Sequence, residues 1–278
     1  GKAAGRACRG GFDAVEFIVG AGYLLNRFLS PITNRRDDRY GGSLENRMRI
    51  LLEIVARIRG EIGGDVPLGV RLNLDEQMLG GHTVETSEIV ARALETAGVD
   101  FIDSYTGWHE SHVPTVGPMV PKGAFAPLTA RIRSVVGIPV IAANRINDPE
   151  TAERILALGQ ADFIGMGRAL IADPQLPNKA RTGRTEEIVP CLACGNCLSD
   201  IMVVYKDPHC GASAGCTVNP STGRERLHAA RPAGRVKRIF VAGGGPAGLQ
   251  AAATAAARGH RVTLFEREAE PGGWMRIA

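Results

Sequence analysis

Between residues 14 and 168 the chain alternates between short apolar runs and longer stretches whose apolar residues recur at helical spacing. The short runs occupy 14–19, 67–73, 99–105, 138–142 and 162–168. Their length and content suit buried strands. A helix is predicted between each pair. Leu44, Met48, Leu51, Leu52, Val55, Ile58 and Ile62 follow Ser43, a good N-cap. Thr83 opens a helix to about 97, another runs over 128–136, and Asp148-Pro149 caps one that ends near 158. Strictly alternating strands and helices require a parallel sheet, either doubly wound or a (β/α)8 barrel. Polar residues collect at the carboxyl ends of the strands: Tyr23, Arg71, Asn73, His109, Asn144, Arg145 and Arg168. That favours a barrel, whose active site lies on that face. The last glycine turn, Gly165-x-Gly167-Arg168, falls where barrels usually hold a phosphate. The five strands therefore read as the last five of eight, and the fold class as α/β.

Residues 1–10 read as the end of a helix, and 30–42 as a long polar loop. After 168 a short helix and connector lead to a cysteine segment. A polar stretch with Pro and Gly follows, then a second strand, a glycine turn, an Ala-rich helix and a further strand at 261–266. The expected organisation is a partial barrel over 1–180, a cluster segment over 181–222, a linker over 223–236 and the start of a Rossmann-like unit over 237–278. The chain begins at Gly1 inside an apparent helix and stops soon after the glycine turn, so it reads as a piece of a longer protein.

Composition narrows the partners. A net charge of +4 and 5% aromatics give no basic, base-stacking surface, so nucleic acid is not expected. No uncharged apolar run reaches the ~18 residues of a membrane span, and no signal peptide is visible. Six cysteines, grouped by spacing in a chain of 278 residues, suit a metal site in a reducing compartment, here the cytoplasm, better than a disulfide scaffold. The expected partner is a small-molecule substrate.

Two motifs carry most of the chemistry. Gly243-x-Gly245-x-x-Gly248 lies between a predicted strand and helix, with Glu266 ending the next strand. In such a motif the first glycine permits the tight turn, the second lets a diphosphate approach the backbone, and the third lets helix and strand pack closely. The helix N-terminus favours the diphosphate charge, and the acidic residue accepts from ribose hydroxyls. The plain alternative is a glycine turn with no ligand. Cys191, Cys194 and Cys197 form C-x2-C-x2-C, with Cys210 and Cys216 further on. Three close thiolates and one distant one suit a 4Fe-4S cluster. Zinc more often takes paired C-x2-C knuckles, and structural thiols are the third reading. Either Cys210 or Cys216 could be the fourth ligand on spacing alone. Tyr23 and His109 are candidate proton donors, each weighed against simple packing. Arg71 and Arg168 suit an anion or a charged ring, each weighed against a salt bridge. His112 reads as a solvated neighbour and Cys8 as a core residue.

Several stretches resemble the old yellow enzyme family: 11–16 (GFDAVE), 22–26 (GYLLN), 28–31 (FLSP), Asn34-x-Arg36 and 40–47 (YGGSLENR). The cysteines and the following dinucleotide motif resemble its large iron–sulfur branch, which includes 2,4-dienoyl-CoA reductase, 2-enoate reductase and trimethylamine dehydrogenase. The stretches 107–110 (GWHE), 121–125 (PKGAF), 144–149 (NRINDP) and 216–220 (CTVNP) look most like the dienoyl-CoA reductases. The resemblance implies an FMN-binding barrel, a 4Fe-4S cluster and an FAD domain, with NAD(P)H as electron donor. Electrons would pass from FAD through the cluster to FMN, and from there to a conjugated enoyl- or dienoyl-CoA. Tyr23, supported by His109, would donate the proton. Arg71 would meet the flavin ring, with Asn144, Arg145, Gly167 and Arg168 near its phosphate. Gly243, Gly245, Gly248 and Glu266 would hold FAD. Cys216, in its Asn-Pro context, would join Cys191, Cys194 and Cys197. The chain departs from the family at Ile18 and Ala21, where many members carry histidines, at 209–215, which looks inserted, and at Trp274. The rival readings are an amine dehydrogenase with the electron flow reversed, and an inert fragment whose cysteines bind zinc or nothing. The isolated chain is expected to be inactive, with an exposed strand edge.

Overall fold

The computed structural model describes residues 1–207, 209, 213–228 and 231–276. They fall into two compact units, Gly1–Pro220 and Ser221–Ala278.

The first unit runs α1 (Lys2–Arg9), β1 (Val15–Val19), α2 (Leu24–Leu29), α3 (Leu44–Ile62), β2 (Leu68–Asn73), α4 (Val84–Thr96), β3 (Phe101–Tyr105), α5 (Ala126–Arg133), β4 (Val140–Ala142), α6 (Pro149–Ala157) and β5 (Phe163–Ile164). After these come α7 (Arg168–Ala172), α8 (Leu176–Arg181) and α9 (Asn196–Lys206). The five strands form one parallel sheet in the order β1-β2-β3-β4-β5. A doubly wound sheet reverses its strand order at a switch point. This sheet does not reverse, which is the order of a (β/α)8 barrel.

The register shows why. Residues paired across a parallel sheet share a face. One row is Phe17, Val70, Ile102 and Val140, all apolar. Val70, Ile102 and Val140 are fully buried, against a core that takes Leu51 and Val55 from α3, Val90 and Leu94 from α4, and Ile132 from α5. Each such side chain contributes about 1.5–3 kcal/mol by leaving water. The opposite face carries the row Ile18, Arg71, Asp103, Ile141 and Phe163. It mixes charge with bulk and faces away from the helices, as a barrel's inner wall does. α3 packs on α1 and α4, and α4 on α5, giving a single outer layer of helices.

Local signals set the helix ends. The Ser43 hydroxyl accepts from the Asn46 amide, and Gly63 closes α3 at φ +75°, a conformation glycine adopts freely. Asp148 Oδ1 accepts from the Thr151 amide at 2.8 Å, with Pro149 in the first turn of α6. Several elements differ from the sequence reading. α2 and α9 lie where no helix was expected, because one sits beside a glycine turn and the other among cysteines. β4 and β5 are shorter than their apolar runs, and α5 begins and ends earlier than its run. Among the described residues no helix is long and apolar enough to cross a membrane.

The second unit contains α10 (Glu225–His228), within the expected linker, then β6 (Arg238–Ala242), α11 (Pro246–Ala257) and β7 (Arg261–Phe265). β6 and β7 pair in parallel with α11 between them, which is one βαβ crossover.

Candidate active site

Ala21 and Gly22 both have positive φ (56° and 81°) and turn the chain out of β1. Ala21 bridges to Trp108, after β3. A Cβ on Gly22 would lie 1.9 Å from Trp108 Nε1, so only glycine lets the indole pack there. This contact draws the β1–α2 turn against the β3 loop. As a result the Tyr23 hydroxyl lies 3.3 Å from His109 Nε2, with the rings edge to face.

His109 lines a cavity of about 670 Å³ at the carboxyl ends of the strands, together with Arg71, Asp103, Tyr105, Trp108, Asn144, Arg145, Gly165, Gly167 and Arg168. Asn144 and Arg145 both adopt left-handed backbone (φ 69° and 57°), unusual outside glycine, and this turns the β4 loop into the cavity wall. Asn144 Nδ2 donates to the Thr106 carbonyl at 3.2 Å. Arg145 donates to the Val120 carbonyl and Arg168 to the Val116 carbonyl, each at 2.8 Å. Neither arginine has a carboxylate partner among the described residues. Burial, and next the charge of Arg168, push the Arg145 guanidinium below its ordinary pKa. A Cβ on Gly167 would meet nothing within 4 Å, so the backbone there is open to a ligand. Two uncompensated guanidiniums beside an open glycine turn fit a phosphate monoester such as that of FMN.

Arg71 is already engaged. Its guanidinium pairs with Asp103, its neighbour in register, and lies 5.5 Å from the Tyr105 ring centroid. The salt bridge weighed against a ligand role from sequence is therefore present, though Arg71 still faces the cavity. Burial pushes the Asp103 carboxyl above the usual range, with Arg71 pulling the other way. Asp103 Oδ1 has no hydrogen-bond partner among the described residues.

Cys191, Cys194, Cys197 and Cys216 are free thiols that line a second, small and mostly apolar pocket. Ala193 and Gly195 have positive φ, which curls the 191–197 loop around it. Cys210 lies outside the described residues. No three His, Cys, Asp or Glu side chains among the described residues come close enough to share one metal ion. A 4Fe-4S cluster needs no such convergence, because each cysteine takes a different iron. The donor set, four thiols around one pocket, fits the cluster. A hydrogen bond with the Thr217 hydroxyl, and next the Asn196 amide, hold the Cys194 thiol below its ordinary pKa, whereas burial raises Cys197. Arg168 and Cys191 line both cavities.

In the second unit Gly243 has φ 95° and Gly245 caps α11. A Cβ on Gly248 would lie 1.9 Å from the Gly243 carbonyl oxygen, so the close helix–strand approach requires glycine. Glu266 accepts from the Gly244 and Glu268 amides, which lower its pKa. The turn has the shape of a dinucleotide site, with Glu266 bracing it.

His112 is exposed and lines neither cavity. Cys8, half-buried rather than core, sits in α1 away from both. Sequence reasoning missed Asp103 and Trp108. It also gave no partner to His82, which belongs to a buried network. There the Glu76 carboxylate accepts from Asn26, Ser30 and the His82 amide, and His82 Nε2 lies 2.6 Å from Ser87 Oγ.

Comparison with known proteins places this geometry. The profile of the NADH:flavin oxidoreductase / NADH oxidase family matches residues 1–187, and that of an NAD(P)-binding Rossmann-like domain matches 241–277. A metal reductase of Desulforamulus reducens is 46% identical over 277 residues, covering 100% of this chain and 41% of the relative. The solved complex of 2-naphthoyl-CoA reductase with 2-naphthoyl-CoA superposes with a TM-score of 0.91 at 39% identity, over 98% of this chain and 41% of that one. Histamine dehydrogenase from Rhizobium sp. 4-9 superposes at 0.85 and 33% identity, over 98% of this chain and 39% of that one. The chain thus spans about two fifths of the length of the relatives it matches.

Proposed function

The chain belongs to the NADH:flavin oxidoreductase / NADH oxidase family, and from that premise we propose that the protein carrying it is an NAD(P)H-dependent flavin and iron–sulfur oxidoreductase. Its substrate is an unsaturated acyl-CoA or related conjugated carbonyl compound, reduced at the carbon–carbon double bond. The observation that carries this reading is the Tyr23 hydroxyl 3.3 Å from His109 Nε2, a spacing that suits a proton donor and its support, beside a cavity that Arg145 and Arg168 also line.

FMN, when bound, supplies the hydride. Asn144, Arg145, Gly167 and Arg168 hold its phosphate end and Arg71 its ring. Cys191, Cys194, Cys197 and Cys216 hold the 4Fe-4S cluster, and Gly243, Gly245, Gly248 and Glu266 hold FAD. The Tyr23 hydroxyl holds the proton that goes to the carbon next to the carbonyl. His109 Nε2 stabilises the phenolate left behind and returns a proton to it. Ile18, the register neighbour of Arg71, puts an apolar side chain where an imidazole would otherwise grip a carbonyl oxygen. An apolar side chain there suits an acyl chain. Cys8, in α1 and away from the cavity, offers no tether for a flavin, so the amine dehydrogenase reading gains no support there. The likeness to 2-naphthoyl-CoA reductase supports the thioester class.

The test uses the natural protein, purified without oxygen. Iron, acid-labile sulfide, FMN and FAD are counted, NADH or NADPH is added, and the reduced flavins are challenged with a dienoyl- or aryl-enoyl-CoA. Reoxidation by the thioester supports the proposal. Zinc in place of iron removes the electron relay, and flavins reduced by amines but indifferent to every thioester reverse the reaction's direction.

A further inference from the structure

The inner row of the sheet places opposite charges side by side. Arg71 on β2 and Asp103 on β3 are paired in register and joined as an ion pair. The Asp103 side chain is only 8% exposed, and its Oδ1 has no partner among the described residues. The Arg71 side chain keeps 30% of its surface and lines the cavity, with the Tyr105 ring beside its guanidinium. Glu16 on β1 also feels both charges. A buried carboxylate with one oxygen unused is costly. Here it is placed so that Arg71 cannot swing freely and does not present a full positive charge.

We propose that Asp103 is a positioning residue for flavin chemistry: it fixes the Arg71 guanidinium at the cavity and offsets part of its charge. The inference rests on the reading that FMN binds in this cavity. An arginine alone beside a flavin ring stabilises the negative charge that the ring gains on two-electron reduction, which raises its potential. A carboxylate behind the arginine opposes that and keeps the reduced flavin a stronger hydride donor. Asp103 acts through Arg71 and need not touch the flavin.

The test is a redox titration of the FMN in the natural holoprotein and its variants. Asp103→Asn keeps an oxygen that can accept from Arg71 but removes the charge. The expected result is FMN still bound and its midpoint potential moved positive, with at least a tenfold change in the oxidised-to-reduced ratio at fixed poise, about 30 mV for a two-electron couple. Arg71→Gln should move the potential the other way, and the double variant R71Q/D103N should stay near R71Q, because without the guanidinium Asp103 has no charge to offset. If D103N does not fold, Asp103→Ser removes the same charge beside an intact Arg71 and reads the same effect. A purely structural Asp103 would lower stability and leave the potential unmoved, and that result overturns the inference. Absence of FMN from the purified wild-type protein would instead overturn the cofactor reading on which it rests.

Discussion

Tyr23 and His109 stand 86 positions apart in sequence and 3.3 Å apart in space, with ring centroids 5.4 Å apart at an interplanar angle of 77°. A buried indole under a glycine turn produces this meeting. Replacing Tyr23 by Phe removes the proton and little else. Reoxidation of the reduced protein by an enoyl thioester should slow by about 10²–10⁴-fold, while reduction by NAD(P)H proceeds as before. Stopped-flow measurement of the two half-reactions separates them. Equal slowing of both would assign Tyr23 to the fold.

Arg168→Gln removes one of the two guanidiniums at the proposed phosphate end of the cavity. A charge-assisted hydrogen bond is worth about 1.5–3 kcal/mol, so the FMN dissociation constant should rise by about 10- to 150-fold. Ultrafiltration and flavin fluorescence of the filtrate measure it. Because Arg168 also lines the cysteine pocket, the visible spectrum of the cluster should change in the same variant. An unchanged cluster spectrum would show that the two cavities are electrically separate.

Serine at Cys191, Cys194, Cys197 or Cys216 should each reduce iron and acid-labile sulfide far below four per chain, because a cluster corner loses its thiolate. Serine at Cys8 should leave both intact. Iron retained by the Cys216 variant would move the fourth ligand elsewhere, with Cys210 the next residue to replace.

In the second unit, Gly248→Ala puts a methyl group into the Gly243 carbonyl. Overpacking of this kind costs about 1–3 kcal/mol, and here it should open the dinucleotide turn. FAD content should fall while FMN content holds, as measured by separating the flavins after heat release.

His82 gives a pH prediction. It is 1% exposed, and burial pushes its pKa from 6.5 down to about 4. Below pH 6.5 the unfolded chain takes a proton that the folded chain refuses. Stability therefore declines as pH falls from 6.5 toward 4, by about 3 kcal/mol at the lower end. Burial raises the Glu76 pKa, so protonation of Glu76 works in the opposite direction and softens the fall. His82→Gln should flatten this acid limb in urea unfolding midpoints collected across the window. A limb of unchanged slope would place its origin elsewhere.

The strand–helix alternation, the Ser43 and Asp148 caps and the glycine turn were readable from the sequence, because each is a local signal. The cavity residues at the strand ends were nameable for the same reason. Asp103 was not. In the run 101–105 it is an ordinary polar residue, and only the register of β3 against β2 sets it beside Arg71. Trp108 was hidden in the same way, since its partner Gly22 belongs to another turn. The Glu76 network joins residues up to 50 positions apart, and spacing carries no trace of it. The helix α2 escaped because its six residues are too few for a period to show.

The charged inner row has a consequence for how the sheet assembles. Side chains alternate between faces, so sliding β2 by one position would carry Arg71 under the helices and Val70 or Leu72 onto the opposite face. A slipped alignment would strand the guanidinium away from Asp103 in an apolar layer and leave the buried carboxylate uncompensated. The Arg71–Asp103 pair thus favours the native register over misaligned sheets that a purely apolar strand would tolerate.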